Sequence, residues 1–214
     1  MNKNEKFIIT INRELGSGGR TVGRKLAEKL GVTFYDKWLI NELKSKFNIS
    51  AEEVEKVKGG NSSWWRDLLN SAIYMGEKMG EINSVPHPPQ DVFHLVTTDD
   101  MYKVETEIFS HIADNESCIV AGRTGFYVFR DHPYRLSILI QASLPFRVER
   151  VMRKQNMTRE QAIKTIENID KMRENYIKEF TKTSRYDTRN YDLVITADGK
   201  TEDQIVDIIL KYIE

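Results

Sequence analysis

The sequence predicts an α/β fold: a parallel sheet of about five strands with helices on both faces and a helical insertion. Three observations predict it. Short segments rich in β-branched and apolar residues alternate with longer amphipathic patterns. The first such segment runs through a glycine-rich turn straight into a helical pattern. Residues 37–115 then break the alternation, with several helical patterns and no clear strand.

In chain order, strands are expected at 7–12, 32–35, 117–121, 135–141 and 192–196. Helices are expected at 21–30, 37–47, 51–58, 62–80, 99–113, 145–155, 158–181 and 202–212. The loop Asn83-Ser84-Val85-Pro86-His87-Pro88-Pro89-Gln90 ends the third of the insertion's helices, because its prolines hold the chain extended. In a parallel sheet covered on both faces, ligands gather at the carboxyl ends of strands. The turn after the first strand and Gly122-Arg123 after the third would then face one crevice. The helical insertion would lie over it as a substrate-binding cap. Trp64 and Trp65 are read as packing inside that cap rather than stacking on a base.

The turn Glu14-Leu15-Gly16-Ser17-Gly18-Gly19-Arg20-Thr21 is the most informative stretch of the chain. Backbone N–H groups of such a turn converge on an anion, the helix dipole favours it, and a nearby cation closes over it. Gly16, Ser17, Gly18, Gly19, Arg20 and Thr21 are therefore the candidate phosphate-binding residues. The turn resembles a Walker A loop, with Arg20 at the lysine position, Glu14 at the first glycine, and Thr21 supplying the hydroxyl that would ligate Mg²⁺. A dinucleotide fingerprint competes: Gly16 and Gly18 fit it, Thr21 breaks it, and Asp36 sits where a ribose-binding acid belongs. A plain linking turn is the third reading.

Composition narrows the class. The chain has 214 residues, 40% hydrophobic and 30% charged, as soluble globular proteins do. It has no apolar run near the ~18 residues that span a bilayer, and no signal peptide is read before the first strand. A single cysteine, Cys118, lies in an apolar run and reads as a buried structural thiol, which makes the cytoplasm the expected compartment. Four histidines at 87, 94, 111 and 132 have no metal-ligand spacing. Net charge is zero, yet residues 123–189 hold 15 basic against 8 acidic residues and the rest 17 against 24. This asymmetry favours a small anionic ligand over a polymeric nucleic acid.

A second constellation separates the readings of the turn. In Pro145-Phe146-Arg147-Val148-Glu149-Arg150-Val151-Met152-Arg153-Lys154, the cations fall near one helix face and apolar residues share the other. Asp170-Lys171-Met172-Arg173 and then Lys182, Arg185 and Arg189 follow. Guanidinium groups gathered over a phosphate turn suit phosphoryl transfer, whose charge spreads over the moving oxygens. A nicotinamide enzyme does not require them.

On these residues the chain resembles the cytidylate-kinase-like proteins of the P-loop nucleoside monophosphate kinase group. The resemblance rests on Ile11–Arg20, Lys25–Gly31, Phe34-Tyr35-Asp36, Ile119–Arg123, Pro145–Val151, Asp170–Arg173 and Asn190-Tyr191-Asp192-Leu193, and is weakest across 60–98. It implies a three-layer P-loop kinase with a core at 1–36 and 116–214, an arginine-bearing lid at 144–190 and an acceptor-binding insertion at 37–115. It also implies ATP and Mg²⁺ as cofactors and CMP or dCMP as acceptor. Thr21 would touch the metal, Arg20 with Arg147, Arg150 and Arg153 the transferred phosphate, and Asp36, Arg123, Asp170 and Arg173 the acceptor. Three positions depart from the pattern. Thr124 replaces the aspartate of Gly-Arg-Asp, Arg20 replaces a lysine, and Glu14 replaces a glycine. A glutamate there would repel the donor unless it points away, pairs with an arginine or helps hold the metal. The alternatives are a kinase for another small acceptor and a silent nucleotide-binding protein. Aromatic and methionine residues along 64–79 suit a homodimer interface or burial within one chain equally.

Overall fold

The computed structural model describes residues 5–36 and 99–214. The helices expected at 37–47, 51–58 and 62–80, the proline loop, and Trp64 and Trp65 lie outside the described residues. Contacts divide the chain into two units, 1–36 with 111–214 and 37–110.

Five parallel strands form one sheet in the order β2-β3-β1-β4-β5. They are β1 (Ile8–Arg13), β2 (Thr33–Tyr35), β3 (Cys118–Ala121), β4 (Arg135–Gln141) and β5 (Leu193–Thr196). The helices are α1 (Gly19–Leu30), α2 (Asp99–Asn115), α3 (Gly125–Val128), α4 (Leu144–Gln155), α5 (Arg159–Thr181) and α6 (Glu202–Ile213). The expected strands are all present. The four-residue α3 and a 3₁₀ turn at Thr188–Asn190 are additions that periodicity cannot detect.

β1 is central because its run of isoleucines can be buried on both faces. Ile11 pairs with Ala121 on one side and Ile138 on the other. Its alternating side chains serve two layers. Ile9 and Ile11 join Val22 and Leu26 of α1 and Ile205, Val206 and Ile209 of α6. Each such aliphatic burial contributes about 1.5–3 kcal/mol. Lys25–Asp203 and Lys29–Asp207 bridge α1 to α6 at the surface. On the opposite face, Gly125 of α3 lies against Thr10 and Val120, close enough that an added Cβ would be 3.3 Å from Val120.

α4 and α5 form a hairpin with its own core of Val148, Val151, Ala162 and Ile166, onto which Leu15 of the glycine turn packs. Thr158 and Gln161 form a capping box that starts α5, and Thr201 and Gln204 another that starts α6. Sequence neighbours diverge at the centre of the sheet. After β1 the chain moves toward the β2 edge, and after β4 toward the β5 edge. The crevice so opened at the strand ends is where the glycine turn sits.

Candidate functional site

The turn is held from within. The Ser17 hydroxyl and amide both donate to the Glu14 carbonyl, at 2.9 and 3.3 Å. Gly16 and Gly18 both have φ of +86°, a left-handed backbone that suits glycine. Gly18 caps α1 with no side-chain hydrogen bond, so the first N–H groups of the helix open onto the crevice. A Cβ on Gly16 would be 2.7 Å from the Arg147 carbonyl oxygen, so the start of α4 closes directly over the turn.

Glu14 points away from the crevice. Its Oε2 accepts the Ala142 N–H at 2.9 Å and lies 3.6 Å from Arg147 Nε. Its charge is thus directed to the end of β4 and onto an arginine.

Asp170 is the hub between turn and hairpin. It is buried, accepts the Leu15 N–H at 3.0 Å and pairs with Arg147 at 2.6 Å. Arg173 and Arg185 each reach its other oxygen at 3.4 Å. Both also donate to the Arg13 carbonyl, Arg173 at 3.3 Å. Arg185 is fully buried, and the Tyr191 hydroxyl donates to its carbonyl at 2.7 Å while accepting from Asn12 at 2.6 Å. One carboxylate therefore faces three guanidinium groups. Burial first, then Arg185, lowers the Arg173 pKa to about 10 despite Asp170. Burial first, then Arg173, lowers that of Arg13 to about 9. Both remain charged at neutral pH, and an incoming polyanion relieves the repulsion.

The remaining candidates spread around this centre. Arg20 turns from the turn to Asp36, at 2.5 Å for Nη2 and 2.8 Å for Nε. Arg150 sits with its guanidinium carbon 3.5 Å from the Cβ position of Gly18, and pairs with Glu202 at 2.5 Å. Arg153 is exposed in the last turn of α4 and is not drawn into the cluster. Arg123 adopts a left-handed φ of 55° and lies 5.4 Å from the centroid of the Tyr176 ring. Thr124 is fully buried and its Oγ1 has no hydrogen-bond partner among the described residues, a place where an ionised aspartate would be costly. Thr21 is half-buried in the first turn of α1.

The donor set fits a nucleotide polyphosphate: open helix N–H groups, a glycine cradle and excess guanidinium charge. Among the described residues no group of three or more acidic, histidine or cysteine side chains could hold a metal. A Mg²⁺ held by Thr21 and by phosphate oxygens needs no such cage. No described helix is long and apolar enough to cross a membrane.

A sequence model of the cytidylate kinase-like family matches residues 8–198. The chain belongs to the cytidylate kinase-like family. The cytidylate kinase of Saccharolobus islandicus is 27% identical over 207 residues, covering 97% of this chain and 90% of that one. A crystal structure of an uncharacterised protein from Eubacterium ventriosum superimposes with a TM-score of 0.69 at 23% identity, covering 97% and 98% of the two chains. That likeness shows the fold. As a cytidylate kinase-like protein the chain is a P-loop kinase, a nucleotide-binding transferase.

In this cytidylate kinase-like site, sequence reasoning gave Arg13 no role and named Arg185 only among the cations that follow Arg173. A charged residue closing a strand buried along its length was the available signal for Arg13. Nothing in the sequence around Arg185 shows that it is buried.

Proposed function

We propose that this chain is an ATP-dependent nucleoside monophosphate kinase acting on CMP or dCMP. The observation that carries the reading is the crowd of guanidinium groups, Arg13, Arg147, Arg173 and Arg185, around a glycine turn at a helix start. The name of the Saccharolobus islandicus relative supports the pyrimidine acceptor.

ATP would supply the phosphoryl group, and Thr21 would help hold a Mg²⁺ whose chemistry is to offset phosphate charge. The protein's own work is binding and alignment. Gly16–Thr21 hold the donor phosphates with backbone N–H groups. Arg150, beside Gly18, faces the same phosphates once Glu202 releases it. Asp36, Arg123 and the Asp170–Arg173 pair position the acceptor. No protein nucleophile is required, since alignment and charge neutralisation supply the catalysis.

Coupled ADP release with Mg-ATP, run against CMP, dCMP, UMP, AMP, GMP and no acceptor, tests the proposal. Stimulation by CMP or dCMP above the other acceptors is expected. A flat panel with ATP bound by calorimetry would instead favour a different acceptor or a silent nucleotide-binding protein. The diversion of Arg20 to Asp36 is the observation that keeps the silent reading in view.

A further inference from the structure

The cation expected to close over the donor phosphates at a Walker-type turn comes from the helix that follows it. In this chain the helix offers Arg20, which is 58% exposed and bound to Asp36. A different guanidinium occupies the centre. The Arg13 side chain runs from the end of β1 across Gly19, where an added Cβ would be 2.6 Å from the Arg13 Cβ. Its head ends against Gly122 after β3, where an added Cβ would be 1.7 Å from Nη1. Two glycines, one at the helix start and one at the strand end, thus make room for one arginine. The Arg13 head makes no hydrogen bond or ion pair among the described residues; Arg173, Arg185 and Arg20 repel it, and the Asp36 carboxylate, itself paired with Arg20, offsets this only in part. A guanidinium lodged among like charges with no carboxylate in contact is set for an anion.

We infer that Arg13, delivered from the strand rather than the helix, is the residue that binds the transferred phosphate between the donor and acceptor sites. The inference rests on the kinase reading above. In the transfer, the bond from the γ-phosphorus to the oxygen it shares with the β-phosphate breaks. A bond to an acceptor phosphate oxygen forms, and Arg13 keeps its protons throughout. Its planar fork can hold two of the moving oxygens at once in a fixed geometry, where a lysine offers a flexible point charge.

The test measures binding of inorganic tripolyphosphate by calorimetry to the full chain and to Arg13→Met, Arg13→Lys and Arg20→Met. Thermal midpoints are followed in parallel. Arg13→Met should weaken binding roughly tenfold or more, with Arg13→Lys between it and the parent and Arg20→Met near the parent. Gly122→Ala keeps every charge and dislodges Nη1, and because it also strains a backbone held at φ +79° its thermal midpoint is read beside its affinity; it serves if Arg13→Met fails to fold. It too should weaken tripolyphosphate binding. Equal affinity for parent and Arg13→Met, or for parent and Gly122→Ala, overturns the inference while leaving the kinase reading standing. A loss centred on Arg20→Met overturns it in favour of the helix cation. A parent that binds no tripolyphosphate removes the donor site and both proposals together.

Discussion

The Arg20 guanidinium closes on Asp36, with Nη2 2.5 Å and Nε 2.8 Å from the same carboxylate oxygen. The pair ties the first turn of α1 to the end of β2, on the acceptor side of the proposed site. More than half of the Arg20 side chain is exposed, so the pair contributes less than about 1 kcal/mol to stability. Arg20→Ala is expected to melt near the parent and to raise the acceptor KM severalfold, about tenfold in kcat/KM. Melting curves and acceptor titrations check this; unchanged kinetics would remove Arg20 from the site.

Asp170 has the opposite balance. Its carboxylate is buried against Arg147, Arg173 and Arg185 and holds the Leu15 N–H. Asp170→Ala leaves three partly or fully buried cations without their shared counter-charge and should cost about 3–5 kcal/mol. Denaturant unfolding reads this directly, and a midpoint equal to the parent's would show that the hub carries no stability.

The Tyr191 hydroxyl links Asn12 to the Arg185 carbonyl. Tyr191→Phe keeps the ring beside Phe126, centroids 5.5 Å apart, and removes only the link. The expected loss is about 1–3 kcal/mol, because Asn12 is left with an unsatisfied buried donor. A loss below a few tenths of a kcal/mol, on the order of surface substitutions, would contradict it.

His132 gives the protein a pH dependence. Its Nδ1 accepts the Tyr134 N–H at 3.3 Å, which requires the neutral ring. Burial holds its pKa below the ordinary 6.5, and Asp114 opposes this only in part. The unfolded chain therefore binds more protons in this window, and stability rises with pH across it. The contribution is complete above the ordinary value and is lost as pH falls through the folded one. Thermal midpoints should be level between about pH 7 and 8 and fall below about pH 6.5, where His111, also held low by burial, adds to the fall. His132→Asn, which keeps an acceptor that does not titrate, should flatten that part of the curve. An unchanged profile would contradict the assignment.

Among the described residues, the strands and most helix bounds were legible because burial and period set them locally. The apolar run of β1 and the threonine caps of α5 and α6 are examples. The glycine turn was legible for the same reason, since left-handed backbone at Gly16 and Gly18 calls for glycine. Partnerships were not. That Glu14 would turn onto Ala142 and Arg147, or that Arg185 would be the most deeply buried cation among the described residues, depends on contacts more than 120 residues apart for the first pair and on loop closure for the second. The sequence offered Arg147, Arg150 and Arg153 as equals. Packing separates them, placing Arg147 against the turn, Arg150 beside Gly18 and Arg153 in solvent.

The activity proposed for this chain is transfer of phosphate from ATP to a pyrimidine monophosphate. Phosphorus NMR of the full chain with Mg-ATP and CMP follows both nucleotides at once. ATP and CMP signals are expected to decline together while ADP and CDP grow in equal amounts. Inorganic phosphate appearing in place of CDP, or no change with either CMP or dCMP, would contradict it.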